Sequence, residues 1–285
     1  MSQAGAGDNT VQKELWNGDL GRKWAEEFDD LDTMLAPLGL SGIARANFAP
    51  GETVIDVGCG CGATSLAIAQ KLGPQGKVLG VDISGPMLDT ARQRAKQTGN
   101  AEFMLGDASV YKFAPASADV IFSRFGVMFF AGPAAAFANM RTALKPGGRA
   151  CMVVWCPVKE NPWVMKSLMI AAKYVTMPAP LGPEDPGPFS FGDPARVTRI
   201  LETAGFRDVK LEPQDLQITI GAGRDFDGAV DFLLGVGPIR MILAEQTPEL
   251  REKVRMEIKE AMFPDFGAQG LRMGTATWIV TARNS

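Results

Sequence analysis

The chain has 285 residues, 46% hydrophobic and 21% charged, a globular composition long enough to bury a large core, which excludes a disordered or fibrous protein. Twenty-nine Lys and Arg against 32 Asp and Glu leave a net charge of -3, so no general field attracts phosphate backbones and a nucleic-acid substrate is not expected. Histidine is absent, which removes the commonest general base and metal ligand, and four cysteines are too few for a disulfide scaffold.

The start, Met-Ser-Gln-Ala-Gly-Ala-Gly-Asp, has neither a cationic nor an apolar run, so no signal peptide is expected. The longest uncharged stretch, Phe125 to Met140, is broken by Gly126, Gly132, Pro133 and Asn139 and is too short to span a bilayer. A cytoplasmic protein is the expectation.

Short β-rich runs alternate with helical ones, which predicts a parallel sheet wrapped by helices. The strands are read at Thr53–Val57, Val78–Val81, Ala101–Leu105, Val120–Ser123 and Ala150–Trp155, and the helices between them at Ala63–Leu72, Pro86–Thr98 and Ala134–Leu144. Gly147-Gly148, after Lys145-Pro146, is read as breaking the last helix before the fifth strand. Asn161-Pro162 then starts a helix with an apolar run from Trp163 to Met177. Residues 178–188 carry Pro178, Pro180, Pro183, Pro186 and Pro188, an irregular loop suited to a lid. Asp193-Pro194 opens a helix to Ala204, Val209–Ile220 reads as strand, Asp225–Leu234 and Pro248–Met262 as helices, and Thr275–Ala282 as the final strand.

These elements divide the chain into a helical segment at 1–46, a core at 47–156, a cap insertion at 157–192, and a completion of the sheet at 193–285 with a second helical insertion at 221–273. The sharpest feature is Val54-Ile55-Asp56-Val57-Gly58-Cys59-Gly60-Cys61-Gly62, a strand running into a glycine-rich turn and then a helix. Glycines there let a ligand touch the main chain, while the next helix aims free N–H groups and its dipole at a negative group. Alone the turn is ambiguous, because Gly58-x-Gly60-x-x-Ala63 also satisfies the relaxed dinucleotide fingerprint.

Three acids separate the readings. Asp56 lies inside the strand, where a carboxylate is costly without partners and points to a positive or hydrogen-bonding ligand group, or to donors from the turn. Asp82 ends the second strand, where its carboxylate can take both hydroxyls of a ribose. Asp107, within Gly106-Asp107-Ala108, follows the third strand and offers an acceptor beside a backbone donor; a dinucleotide fold has no need of it.

With Asp119-Val-Ile-Phe-Ser-Arg-Phe-Gly at strand four and Leu144-Lys145-Pro146-Gly147-Gly148-Arg149 before strand five, residues 50–156 resemble the class I S-adenosylmethionine-dependent methyltransferases of types 11 and 25. Among these the chain is most similar to the quinone-biosynthesis C-methyltransferases, except that Met128-Phe129 replace the polar residues usual after Phe-Gly. The resemblance implies a Rossmann-like α/β fold, with a seven-stranded, mostly parallel sheet, an antiparallel last strand and a helical cap. It implies S-adenosylmethionine as cofactor and S-adenosylhomocysteine as product. Gly58, Cys59 and Gly60 would approach the methionine part, with Asp56 and the Ser123 carbonyl facing its ammonium. Asp82 would bind the ribose, Ile83 and Met87 would sandwich the adenine, and Gly106, Asp107 and Ala108 would hold its edge. Phe125 and Phe129 would lie beside the transferring methyl, and Trp24 belongs to an N-terminal segment that would fold over the cofactor. The implied partner is a small-molecule methyl acceptor, a homodimer is left open, and no catalytic base or metal is assigned. The rival functions are a non-catalytic S-adenosylmethionine-binding regulator and an NAD-dependent oxidoreductase.

Overall fold

The computed structural model describes residues 9–284 except 180 and 183, so residues 1–8 and the loop prolines Pro180 and Pro183 lie outside the described residues. Three helices come first: α1 (Thr10–Asn17), α2 (Asp19–Glu26) and α3 (Phe28–Ala46). The core follows as β1 (Thr53–Val57), α4 (Ala63–Leu72), β2 (Lys77–Asp82), α5 (Gly85–Arg94), β3 (Ala101–Leu105), β4 (Ala118–Arg124), α6 (Pro133–Arg141) and β5 (Leu144–Trp155). After α7 (Pro162–Ala171) and α8 (Pro194–Thr203) come β6 (Arg207–Ile220), α9 (Phe226–Val236), α10 (Ile239–Ala244), α11 (Pro248–Met262), a two-residue β7 (Phe266–Gly267) and β8 (Gly270–Arg283).

The strands run β3-β2-β1-β4-β5-β8-β6, with β7 paired to β8 outside that path. The pairs from β3 to β5 are parallel, whereas β8 lies antiparallel to both β5 and β6. Side chains alternate across the sheet and fill two cores. On one face Ile121 joins Phe137, Met140 and Met152; on the other Phe122 joins Ile43, Phe48, Val54 and Ile68. β1 turns outward into the glycine loop beside β4, where the strand order reverses, the position at which open α/β sheets bind ligands.

Several boundaries differ from the sequence reading. The predicted helix to Leu144 stops at Arg141, and β5 starts at Leu144. Gly147-Gly148 are a bulge inside the strand, where pairing steps from Ala118 with Leu144 to Val120 with Arg149. Asn284, at the far end of the chain, fixes this bulge: its N–H donates to the Gly148 carbonyl and its carbonyl accepts from the Gly147 N–H, both at 2.8 Å. α7 ends at Ala171 and not at Met177, because β-branched Val175-Thr176 lead toward Pro178, which cannot continue the ladder. The final strand begins at Gly270, inside the segment read as the second insertion, because its first half extends β6 and pairs back to Ile220. Among the described residues no helix is long and apolar enough to cross a membrane.

Candidate functional site

The candidate residues gather at the carboxyl ends of β1 to β4. At Gly58 (φ +68°) a Cβ would sit 2.5 Å from the Gly126 Cα, and a Cβ on Gly126 would sit 2.5 Å from the Val57 carbonyl. The loops after β1 and β4 therefore touch main chain to main chain, as only glycine permits. The Ser123 hydroxyl joins the same two loops, donating to the Val57 carbonyl at 2.8 Å and accepting from the Gly126 N–H at 3.2 Å.

Asp56 is fully buried beneath the turn. Its Oδ2 accepts from the Thr64 hydroxyl at 2.7 Å and the Ser65 hydroxyl at 2.6 Å, while its Oδ1 has no partner. Burial pushes the Asp56 pKa up to about 6, despite the two hydroxyls and the nearby Arg124 charge. Thr64 and Ser65 escaped the sequence reading, although hydroxyls one turn into the helix behind a strand carboxylate are a usable signal.

Asp82 accepts from the Gly60 N–H and the Ser84 N–H, each at 2.8 Å, which fastens the glycine loop to the end of β2. Burial raises its pKa against those backbone donors. Gly106 donates its N–H to the Asp82 carbonyl at 2.9 Å and so joins the third strand end to the second. The buried Met87 lies against the loop, its Cε 2.8 Å from where Gly60 would carry a Cβ. Asp107 accepts from the Ser109 hydroxyl at 2.6 Å, and Ala108 beside it is buried with its carbonyl taken by the Asn139 amide. Cys59 and Cys61 are buried free thiols; burial raises Cys59 well above the usual thiol value and Cys61 to about 12, so neither is a thiolate.

Residues 54–148 match the family described as "Methyltransferase domain". Over those residues the chain is similar to a methyltransferase domain.

The curated relatives include Nocamycin O-methyltransferase of Saccharothrix syringae, 31% identical over 59% of this chain and 64% of that protein. Ubiquinone/menaquinone biosynthesis C-methyltransferase UbiE of Burkholderia vietnamiensis is 37% identical over 41% of this chain and 51% of its own length. The chain thus spans less than two thirds of both relatives. Among solved structures, the YcgJ protein of Bacillus subtilis superposes with a TM-score of 0.56 at 19% identity, over 87% of this chain and 98% of that one, which establishes a shared Rossmann-like fold.

The loops at these strand ends are covered by the segment that runs through α1 and α2. The Asn9 amide donates to both Asp107 oxygens, at 3.0 and 3.2 Å, and its own carbonyl accepts from the Ala131 N–H at 2.9 Å. Lys13 adds a charge 3.3 Å from Asp107. Burial pushes the Asp107 pKa up, but Ser109, Asn9 and Lys13 outweigh it and hold the carboxyl below the usual value. Asn17 ties α1 to the turn after β2, donating to the Ile83 carbonyl at 2.8 Å and accepting from the Gly85 N–H at 3.0 Å. Trp24 meets Trp16 edge to face at 5.5 Å, Trp16 meets Phe129 at 5.6 Å, and the buried Trp24 Nε1 has no partner.

Phe125 follows β4 in the left-handed region (φ +64°), an uncommon state for a bulky residue and one that clusters at functional sites. Its N–H donates to the Val153 carbonyl at 2.9 Å and its ring stacks on Trp155 at 4.2 Å, which hold the strained conformation in place. The structure thus gathers Asp56, Gly58, Cys59, Gly60, Asp82, Met87 and Ser123 about one loop, links Gly106 and Asp107 to it through Asp82, and sets Phe125 and Trp24 at its rim. Asn9, Lys13 and Asn17 carried no local signal as site residues.

Proposed function

We propose that the chain transfers the methyl group of S-adenosylmethionine to a small apolar or aromatic organic acceptor, with S-adenosylhomocysteine as product. The observation that carries this reading is the trio of carboxylates at consecutive strand ends, whose third member, Asp107, already holds an amide N–H donor where an adenine amine would donate. The orphaned Asp56 Oδ1 and the side-chain-free approach at Gly58 fit the same cofactor.

In this reading Asp82 takes the ribose hydroxyls while Ile83 and Met87 flank the base. Asp107 accepts from the exocyclic amine, and the Ala108 N–H donates to the ring. Gly58, Cys59 and Gly60 line the methionine end, whose ammonium faces Asp56 and the Ser123 carbonyl. The cofactor supplies an electrophilic methyl on a sulfonium, so the reaction is an in-line displacement. The chain's task is alignment and exclusion of water. Trp24 and Phe125 offer π faces to the positive sulfur, and the Trp16, Trp24 and Phe129 cluster seals the rim. The acceptor is a small molecule in the cytoplasm and not a nucleic acid, consistent with the net charge of -3.

The test is transfer of labelled methyl from S-adenosylmethionine to a panel of phenols, quinols and carbon acids. Labelled product supports the reading; tight cofactor binding with no transfer to any class favours the regulatory alternative. Asn9 competes for Asp107, so the closed form must open before adenine enters. Asn9→Ala is expected to tighten S-adenosylhomocysteine by about tenfold in a calorimetric titration, because hydrogen bonds to a charged group hold the closed state. Unchanged or weaker binding would show that Asn9 does not compete.

A further inference from the structure

Trp163, in the first turn of α7, is 6% exposed. Asn161, fully buried just before that helix, fixes the turn. Its amide donates to the Cys156 and Pro157 carbonyls, both at 3.3 Å, and its Oδ1 accepts from the Ala276 N–H of β8 at 3.0 Å. The end of β5 and its neighbour β8 therefore set where the indole lies. The Trp163 ring meets Trp155 at 5.3 Å, and Trp155 stacks in turn on Phe125 at 4.2 Å. Two ring contacts thus lead from the strained turn after β4 to α7.

Apolar packing accounts for the ring but not for its N–H. A buried tryptophan usually finds an acceptor, and a buried donor left unmet costs about 1 to 3 kcal/mol. The Trp163 Nε1 is buried and has no partner among the described residues. Beside the same ring the chain withholds side chains. A Cβ at Gly237, just past α9, would stand 3.9 Å from the Trp163 Cζ3, and a Cβ at Gly235, inside α9, would meet only the Lys23 Cε of α2, also at 3.9 Å. Glycine within a helix costs up to about 1 kcal/mol relative to alanine, and no close contact demands it at Gly235. An unmet donor in an aromatic wall, next to room that no side chain fills, is the complement of an aromatic molecule carrying an oxygen.

We propose that the Trp163 indole N–H donates to a ring carbonyl or phenolic oxygen of the methyl acceptor, and so selects an oxygenated aromatic over a plain hydrocarbon of the same shape. The inference rests on the methyltransferase reading above and narrows its acceptor to one whose oxygen reaches α7. The Trp24 N–H is also unmet, but it belongs to the covering segment, whereas Trp163 is held by the sheet.

The experiment follows the indole N–H resonances of the intact chain, isotope-labelled at its five tryptophans and saturated with S-adenosylhomocysteine. The probes are α-tetralone and tetralin, the same two-ring skeleton with and without a carbonyl. Trp163→Phe, which keeps an aromatic ring against Trp155, assigns the signal. The ketone is expected to move the Trp163 signal downfield and to bind about fivefold to tenfold tighter than the hydrocarbon. Trp163→Phe should abolish that difference by weakening the ketone alone. Equal weakening of both probes in the variant would mean that Trp163 only packs, and would overturn the proposal. A Trp163 signal that the ketone leaves in place, or equal binding of the two probes by the wild type, would overturn it as well. A folded chain that takes up no S-adenosylhomocysteine, which the saturation step reveals before either probe is added, would instead remove the methyltransferase reading.

Discussion

Gly58→Ala is expected to abolish binding of adenosyl ligands, with a loss of about 100-fold or more in affinity. Its Cβ would stand 2.5 Å from the Gly126 Cα, a contact between two main chains that no rotamer relieves. Either the loop after β1 or the one after β4 must move, and both carry the site. Ser123, which joins Val57 to Gly126, would be pulled apart in the process. The left-handed backbone at Gly58 adds about 1 to 2 kcal/mol of strain for any other residue. Gly73→Ala is the control: that residue also has a positive φ, +72°, but nothing lies within 4 Å of its Cβ position. The control should cost only the backbone strain, about 1 to 3 kcal/mol of stability because ψ of -178° puts Gly73 in a region nearly confined to glycine, and should bind ligand normally. A Gly58→Ala protein that binds S-adenosylhomocysteine within about threefold of wild type would contradict the geometry.

Asp56 produces the second large effect, and its sign follows from proton binding. Its carboxyl has a pKa of about 6 in the folded chain against 3.8 when free, so between those values the folded state holds a proton that the unfolded state has released. Stability from this group is therefore fully present below pH 4 and declines as pH rises toward and through 6. The total is about 3 kcal/mol, from roughly two pKa units at 1.36 kcal/mol each. Asp56→Asn removes this dependence. In urea unfolding the variant's stability relative to wild type should improve by about 3 kcal/mol between pH 4 and pH 7, whatever the offset from its unpaired amide at the Oδ1 position. Affinity for S-adenosylhomocysteine should fall about tenfold at pH 7, because the amide no longer offers a charge to the ligand's ammonium. Parallel stability profiles for the two proteins would show that Asp56 is ionised throughout and differently placed.

Stability is in this way given up at one residue. A strand position whose neighbours Ile55 and Val57 are buried and apolar instead carries a carboxylate whose second oxygen has no donor. Local patterning alone does not explain that choice, and the proposed ligand would.

The parts of the fold set by local pattern were legible from the residues. β1, α4 and β3 lie at Thr53–Val57, Ala63–Leu72 and Ala101–Leu105 as read, because each is bounded by turn residues next to it in the chain. Boundaries fixed by distant partners were not legible. β5 runs through Gly147-Gly148 because Asn284 secures the bulge, and β8 starts early because β6 needs a partner as far as Ile220. The same holds at the site. The acids at the strand ends were readable from strand-then-acid spacing, whereas Asn9 reaches Asp107 across 98 residues and shows nothing locally.

The central claim is that the site at the ends of β1 to β4 holds an adenosyl amino acid and not a dinucleotide. Isothermal titration of the intact chain with S-adenosylhomocysteine, and in parallel with NAD, tests it most directly. One molecule of S-adenosylhomocysteine per chain with micromolar or tighter affinity, and no heat with NAD, is the predicted result. Saturable binding of NAD with none of S-adenosylhomocysteine would contradict the account and return Gly58-x-Gly60-x-x-Ala63 to the dinucleotide class.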